Sequence, residues 1–257
     1  MILLLDVGNT RVKWAQLLDG ALTPQQSLLH RDAPAEEWIK HLFRERFRPQ
    51  RLLVANVAGA AMEGVVRREA ERAWRLAPEF AVSRAHACDV TNAYPQPQSL
   101  GVDRWLALIA ARQLAPGWAC VIDAGTALTI DALDAAGLHL GGLIIPGSRM
   151  MMDALLDGTG DIARKARDIA AQAAGMIAEK AVFASNTAQA VASGAMYALA
   201  ASADRAVADL TRRTGGSTPR VYLTGGDAEQ LKRAMTSVTE VVPDLVLRGL
   251  AVTAERA

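Results

Sequence analysis

Apolar residues along this chain fall into short continuous runs separated by segments with helical spacing. Continuous runs predict strands that are covered on both faces of a sheet. They lie at 2–5, 52–57, 119–122, 143–145 and 221–223, with further strand patterns at 12–17 and 128–133. Apolar residues three and four positions apart predict helices at 34–47, 60–76, 102–114, 148–156, 161–179, 186–213, 228–236 and 244–256. Alternating strands and helices are typical of an α/β protein.

Two segments of the chain share one pattern. Residues 5–10 read LDVGNT and residues 122–126 read IDAGT, each at the end of an apolar strand and before a second strand. The two aspartates lie 117 positions apart, nearly half of the 257 residues, so the pattern indicates a duplicated domain. The Ala-Pro-Gly break at 115–117 predicts the boundary, which gives an N-terminal half over 1–116 and a C-terminal half over 117–257.

Composition and charge exclude several classes of protein. With 51% apolar residues the chain can bury a full core, which excludes disorder as its main state. The 28 Lys and Arg balance 27 Asp and Glu, and only 5% of residues are aromatic, so we expect no nucleic-acid partner. Cys88 and Cys120 have no CxxC partner, which argues against a disulfide scaffold or a thiolate zinc site and predicts two buried, inert thiols.

Targeting signals and common ligand motifs are missing from the sequence. The opening MILLLD has no basic region, and the uncharged stretch 181–203 is rich in alanine and dotted with polar residues. We therefore predict a cytoplasmic protein with no membrane partner. The four histidines lack metal-ligand spacing, and neither a P-loop nor a GxGxxG motif is present.

The repeated turn has the chemistry of a phosphate site. A glycine where the strand turns lets backbone N–H groups approach phosphate oxygens, and a hydroxyl or an amide adds donors without charge. An aspartate at the strand end supplies the hard oxygen ligand that Mg²⁺ prefers. Two such turns could grip one polyphosphate from both sides, and the later Thr224-Gly225-Gly226 offers a flat backbone surface for an adenosine. This arrangement resembles the superfamily of acetate and sugar kinases, Hsp70 and actin, which has two ribonuclease-H-like halves with a nucleotide cleft between them.

Several longer stretches resemble one family in particular, the type III pantothenate kinases, which include the Bvg accessory factor proteins. They are DVGNTRVKW at 6–14, LGVDR at 100–104 after a Tyr-Pro loop, DAGTALTID at 123–131, GGLIIPG at 141–147, Asn186-Thr187 and TGGD at 224–227. The resemblance runs from residue 1 to about 250, and LGVDR is its most specific motif. It implies that the protein phosphorylates pantothenate with ATP to 4′-phosphopantothenate, the first step of coenzyme A synthesis.

The resemblance also implies which residues contact ATP. Its phosphates would meet Asp6, Val7, Gly8, Asn9, Thr10, Arg11, Val12 and Lys13 in the first turn and Thr126 in the second. Asp6 would organise the Mg²⁺ that accompanies ATP, and Lys13 would reach a phosphate as a point charge. The alternative for Lys13 is a solvated strand residue.

The substrate residues carry over from the family in the same way. Asp103 matches the proton acceptor, and Arg104 would hold the pantothenate carboxylate in a bidentate fork. Gly101 and Val102 would supply backbone around the substrate, while Tyr94 and Thr187 would contact it. The alternatives are a helix-start carboxylate for Asp103, an exposed loop residue for Tyr94 and a helix cap for Thr187.

The family further implies a cation and an assembly. Asp123 matches the ligand of a monovalent cation, K⁺ or NH₄⁺, and a homodimer is expected, with the small faces of the helix at 186–203 allowing close packing. Two other functions stay open: a nucleotide-binding accessory protein with little catalysis, and a phosphatase of the same superfamily. The intact Asp6, Asp103 and Asp123 argue against the first, and the Asp103-Arg104 pair favours a kinase over the second.

Overall fold

The computed structural model describes residues 1–30, 42, 48–158 and 183–256. They form two compact units. The first unit comprises the described residues within 1–119, 133–141 and 243–257, and the second comprises those within 120–132 and 142–242. The helices predicted at 34–47 and 161–179 lie outside the described residues, apart from Leu42, which is helical.

The first unit is built on a six-stranded sheet. Its strands are β1 (Ile2–Val7), β2 (Arg11–Leu18), β3 (Ala21–Leu22), β4 (Gln26–Leu29), β5 (Arg51–Asn56) and β6 (Glu79–Phe80). The order is β3-β2-β1-β5-β6, and β4 also pairs with β2. Strand β1 runs antiparallel to β2 and parallel to β5. Leu3, Leu4 and Leu5 are all fully buried, so both faces of β1 are covered, as its continuous apolar run predicts.

A five-stranded sheet repeats this arrangement. Its strands are β9 (Ala119–Ala124), β10 (Ala127–Leu133), β11 (His139–Pro146), β12 (Arg220–Thr224) and β13 (Glu240–Val241), in the order β11-β10-β9-β12-β13. If the strands of each sheet are numbered in chain order, both sheets have the spatial order 3-2-1-4-5. In the first sheet β3 and β4 share the third place, because both pair with β2. The shared order confirms the predicted duplication.

The helices of the described part agree with the predicted ones to within two residues at each end. They are α1 (Ala60–Trp74), α2 (Val102–Leu114), α3 (Ser148–Gly158), α4 (Thr187–Arg213), α5 (Ala228–Ala234) and α6 (Leu245–Glu255). A short hairpin, β7 (His86–Ala87) and β8 (Val90–Thr91), and a 3₁₀ turn at Pro97–Ser99 precede α2. Among the described helices, none is both long and apolar enough to cross a bilayer.

The last helix packs with the first unit, whereas the sequence prediction assigned all of 117–257 to the second half. Helix α6 contacts α2, β1 and β5, and it buries Leu245, Leu247 and Leu250 completely. The apolar period of α6 predicts that one face is buried but not which neighbour buries it. The site on α2 therefore depends on the end of the chain, because α6 supports α2 from one side.

A glycine allows the close approach of α6 to α2. A Cβ on Gly249 would collide with the backbone carbonyl of Leu106. We expect Gly249→Ala to destabilise the fold by about 1–3 kcal/mol, since overpacking against backbone cannot be relieved by a rotamer change. Gly194→Ala is the matched control, because Gly194 also lies within a helix and a Cβ there would meet no atom within 4 Å.

Denaturant unfolding followed by circular dichroism measures both changes. Gly194→Ala should leave the free energy of unfolding unchanged or raise it by up to about 1 kcal/mol, because alanine costs less chain entropy in a helix. Equal effects of the two substitutions would show that α6 does not depend on this contact.

Candidate functional site

The first predicted phosphate turn holds a carboxylate and an ammonium side by side. Asp6 on β1 is the direct cross-strand partner of Lys13 on β2, and Lys13 Nζ lies 3.9 Å from Asp6 Oδ2. The two side chains are only 17% (Lys13) and 8% (Asp6) exposed. Lys13 is therefore not a solvated strand residue, and its charge is held at the base of the turn.

The turn between β1 and β2 uses the amide of its glycine internally. The Gly8 N–H donates to the Arg11 carbonyl at 3.0 Å, so the backbone donors predicted for phosphate would be N–H groups of this turn other than that of Gly8. Asn9 is exposed at the tip of the turn. Val7 and Val12 are fully buried, which leaves only their backbone to serve a ligand, while the Arg11 side chain is exposed.

A histidine that the sequence analysis set aside braces this turn. His30 Nε2 lies 2.7 Å from the Gly8 carbonyl oxygen, and the His30 N–H donates to the Thr10 carbonyl at 3.0 Å. Metal-ligand spacing was the wrong criterion for this residue, because its partner is backbone. His30 reaches the turn because it directly follows β4, which pairs with β2.

The Tyr-Pro loop before α2 has a fixed conformation. The Asn92 carboxamide oxygen accepts from the Tyr94 N–H at 3.0 Å, and its nitrogen donates to the carbonyls of Arg84 and Pro97 at 3.3 Å. At the end of the loop the buried Ser83 hydroxyl donates to the Leu100 carbonyl at 2.8 Å. These bonds hold Tyr94 in place beside α2.

Tyr94 contacts both a guanidinium and an imidazole. The buried Arg104 donates from Nη1 to the Tyr94 hydroxyl at 3.2 Å, and its Cζ lies 5.9 Å from the centre of the ring. The His139 ring stacks on Tyr94, with 6.0 Å between centroids and 13° between planes. Tyr94 is thus half-buried rather than an exposed loop residue, and His139 is a second histidine that the sequence analysis missed.

Asp103 lies in the first turn of α2, at the positive end of the helix dipole. The N-cap is Gly101, so Asp103 is not the capping residue. Asp103 Oδ1 accepts from the Arg104 N–H at 2.8 Å, and a Cβ on Gly101 would come within 2.6 Å of the same oxygen. Gly101 therefore gives the carboxylate room at the helix start. The predicted substrate residues Tyr94, Asp103 and Arg104 do come together in the first unit.

The second turn brings the DAGT and TGG motifs into contact within the second unit. Gly225 has a φ of 97°, and a Cβ there would overlap the Ala124 backbone and lie 2.5 Å from Asp123 Oδ1. Only glycine suits this position, because φ is in the left-handed region and there is no space for a side chain. Asp123 thus sits in a cradle of bare backbone, with a hard oxygen donor in it.

Further bonds fix the second turn. The Asp227 N–H donates to the Ala124 carbonyl at 2.9 Å, and the Ser148 hydroxyl donates to Asp227 Oδ2 at 2.7 Å. The Gly147 N–H donates to the Thr126 carbonyl at 3.1 Å, while the Thr126 side chain is exposed. Ser148 and Asp227 were not predicted as site residues, although both directly follow glycines of the recognised motifs.

Thr187 is the first residue of α4 in the second unit. The N-cap is Asn186, whose side-chain oxygen accepts from the Gln189 N–H at 2.9 Å, so Thr187 is not the helix cap. The hydroxyl of Thr187 stands at a helix N-terminus, where donors suit a polar or anionic group.

The two cysteines differ. Burial raises the pKa of the Cys120 thiol to about 12, which makes it inert as predicted. Cys88 is half-buried in the β7–β8 turn, where its φ is 51°, so the prediction that it is buried was wrong. The described residues contain no group of three or more His, Cys, Asp or Glu able to hold a metal by themselves.

Comparison with known proteins gives one consistent family. The family model of type III pantothenate kinase matches residues 2–209. The chain is 37% identical to a type III pantothenate kinase of Nitrosococcus oceani, covering 98% of this chain and 92% of that protein. It is 36% identical to the type III pantothenate kinase of Halorhodospira halophila, covering 97% and 96%.

Solved structures show the same fold at low identity. A Campylobacter jejuni protein described as a Baf family transcriptional activator is 20% identical with a TM-score of 0.52, covering 99% of this chain and 98% of that one. The activator of 2-hydroxyisocaproyl-CoA dehydratase from Clostridium difficile, solved with bound ADPNP, is 14% identical with a TM-score of 0.54, covering 98% and 93%. Both structures share the fold of this chain along nearly its whole length.

Proposed function

The chain belongs to the type III pantothenate kinase family, and from that premise we propose how its own residues perform the reaction. The protein is an ATP-dependent pantothenate kinase of coenzyme A biosynthesis, and its product is 4′-phosphopantothenate. The observation that supports the assignment of residues most strongly is the placement of Asp103 and the buried Arg104 at the start of α2, beside Tyr94.

Asp103 accepts the proton of the attacking hydroxyl. As the pantothenate oxygen bonds to the γ-phosphorus of ATP, the bond from that phosphorus to the leaving ADP oxygen breaks and the hydroxyl proton passes to the Asp103 carboxylate. The Arg104 N–H and the N-terminus of α2 both stabilise the ionised carboxylate, which must be deprotonated before it can act.

Arg104 holds the pantothenate carboxylate. A guanidinium offers two parallel N–H donors that match a carboxylate, and a buried guanidinium is weakly screened by water. Tyr94 keeps Arg104 in position through its hydroxyl and forms a wall of the substrate site. Gly101, Val102 and Thr187 complete the contacts, the first two through backbone at the helix start.

The ATP phosphates bind at the Asp6–Lys13 turn and at Thr126. Asn9 in the first turn and Thr126 in the second present exposed polar side chains, and Lys13 adds a positive charge to the first turn. Asp6 fits a role toward Mg²⁺, since it is a hard oxygen donor at a strand end, and one or two carboxylates together with substrate phosphates are the usual ligands of Mg²⁺. Bound Mg²⁺ neutralises developing phosphate charge.

Asp123 holds a monovalent cation, K⁺ or NH₄⁺. The fit rests on the cradle around Asp123 Oδ1, where the glycines at 125 and 225 leave space that a Cβ would fill. The one negative charge of Asp123 balances the single positive charge of K⁺ or NH₄⁺, and the bare backbone around it leaves room for the cation.

A change of buffer cation tests this role. We expect turnover to be low in Na⁺ and to rise on addition of K⁺ or NH₄⁺, and Asp123→Asn should abolish that rise. Asp157→Asn, at an exposed position on α3, should respond as the wild type does. Initial rates of ADP release at saturating ATP and pantothenate measure the response. Equal rates in Na⁺ and K⁺ would remove Asp123 from this role.

The second unit carries the surface for a homodimer. Strand β11 is an edge strand that exposes consecutive apolar residues, Leu143 at 51% and Ile144 at 66%. Helices α3 and α4, which pack on each other, add exposed Met150, Leu155 and Tyr197. An exposed apolar edge strand tends to pair with another chain. We propose that a second copy of this chain covers these residues, which buries them in a homodimer.

Light scattering after size-exclusion chromatography tests the homodimer. The wild type should elute with twice the mass of the chain, and Ile144→Asp should shift it toward the monomer. Val238→Asp, at a position 88% exposed elsewhere in the second unit, should leave the dimer intact. A monomeric wild type would contradict the proposal.

The proposed function also implies the binding partners and the location of the protein. ATP and pantothenate are the two small-molecule partners, and neither nucleic acid nor membrane takes part. Cys88 and Cys120 are both free thiols, which supports a reducing cytoplasmic location.

A further inference from the structure

His30 closes the first phosphate turn from outside the hairpin. It follows β4 directly, and it is only 8% exposed. Its ring bonds the carbonyl of Gly8 and its backbone N–H bonds the carbonyl of Thr10, so one residue holds both ends of the three-residue turn at 8–10.

The chemistry of the contact fixes the direction of the bond. A carbonyl oxygen only accepts hydrogen bonds, so the His30 ring must carry a proton on Nε2 to bond Gly8 at 2.7 Å. The Gly8 N–H donates to the Arg11 carbonyl, so both backbone polar groups of Gly8 are hydrogen-bonded. The N–H bonds within the hairpin, and the carbonyl bonds to His30. Asn9 is therefore exposed at the tip of a turn whose flanking residues, Gly8 and Thr10, are held by hydrogen bonds.

We propose that His30 is a positioning residue for ATP, which sets the turn at 8–10 in its phosphate-binding conformation before the nucleotide arrives. The inference rests on the proposed function, in which this turn binds the ATP phosphates. A turn that is already ordered loses less conformational entropy on binding. Removing the His30 hydrogen bond therefore weakens ATP binding and leaves pantothenate binding unchanged.

Three substitutions separate the hydrogen bond from the bulk of the ring. His30→Leu removes the donor and keeps an apolar side chain. His30→Gln places an amide donor near the position of Nε2, whereas the shorter amide of His30→Asn lies nearer to Nδ1 and falls short of Gly8. His86→Leu is the matched control, because His86 is an exposed histidine on β7.

Steady-state kinetics with each substrate varied gives the readout. We expect the KM for ATP to rise about three- to tenfold in His30→Leu and His30→Asn, the equivalent of one lost hydrogen bond. His30→Gln should stay within about twofold of the wild type, and the KM for pantothenate should stay constant throughout. A merely structural role would instead lower the active fraction and leave both KM values unchanged.

The inference is overturned if His30→Leu and His30→Asn keep the wild-type KM for ATP, if His30→Gln fails as badly as they do, or if the KM for pantothenate rises equally. Should His30→Leu not fold, the pair of Gln and Asn variants decides alone. Lys13→Met separates this inference from the proposed function. If Lys13→Met leaves the KM for ATP unchanged, the turn does not bind ATP; if it raises that KM while the His30 variants do not, only the role of His30 is wrong.

Discussion

Asp103→Asn is expected to lower kcat by about 10²–10⁴-fold while the protein stays folded, because it removes the proton acceptor and keeps its size. The amide oxygen of asparagine can still accept from the Arg104 N–H, so the start of α2 should keep its geometry. Both KM values should change little, since the lost interaction belongs to the transition state. Initial-rate kinetics and thermal unfolding of the same samples measure the two sides of this expectation.

Asp19→Asn provides the matched control for that substitution. Asp19 is an exposed aspartate of the first unit with a φ of 47°, a conformation that asparagine adopts readily. It should have wild-type kcat and stability. If Asp103→Asn kept more than about half of the wild-type kcat, Asp103 would be only a carboxylate at a helix start.

Arg104→Lys is expected to raise the KM for pantothenate about ten- to a hundredfold, with kcat and the KM for ATP nearly unchanged. Lysine keeps the charge but loses the bidentate geometry, and a charge-assisted pair in a partly closed site contributes roughly 1.5–3 kcal/mol. The bond from Arg104 to the Tyr94 hydroxyl is also lost, so the wall of the substrate site loosens at the same time.

Arg112→Lys controls for the loss of a guanidinium on the same helix, since Arg112 lies in the last turn of α2 and donates to the Ala135 carbonyl. Its KM for pantothenate should be that of the wild type. Pantothenamides give a second test, because they lack the carboxylate and should be poor substrates of the wild type. A rise in the KM for ATP with Arg104→Lys, or equal phosphorylation of amide and acid, would contradict the role of Arg104.

Local pattern predicted most of the fold because the signals were strong where the elements were long. Helix α2 was predicted with its observed ends, and the continuous run at 2–5 identified a strand buried on both faces. The two-residue strands β3, β6, β7, β8 and β13 were not predicted, since two residues carry no period. The packing of α6 on α2 depends on Gly249 and Leu106, which are far apart in sequence, and no local pattern reports such a pair.

The residues of the candidate site likewise include some that the sequence predicted and some that it missed. Asp103, Arg104 and Tyr94 were predicted from motif resemblance, and their contacts in the structure agree with a common role. His30 and His139 were missed because their partners are a backbone carbonyl and a tyrosine ring, which the spacing of histidines along a chain cannot indicate. The first turn was predicted to offer backbone N–H donors to phosphate, but hairpin closure uses the N–H of Gly8, a bond that only the register of β1 and β2 reveals.

The central claim is that this chain transfers a phosphoryl group from ATP to pantothenate. The most direct test incubates the purified protein with ATP, Mg²⁺, K⁺ and pantothenate, and follows ADP release together with the mass of the product. ADP should form only when pantothenate is present, in equal amount to a product that is heavier by one phosphoryl group. Nucleotide binding without turnover would indicate an accessory protein, and release of phosphate from 4′-phosphopantothenate would indicate a phosphatase; either result would contradict the account.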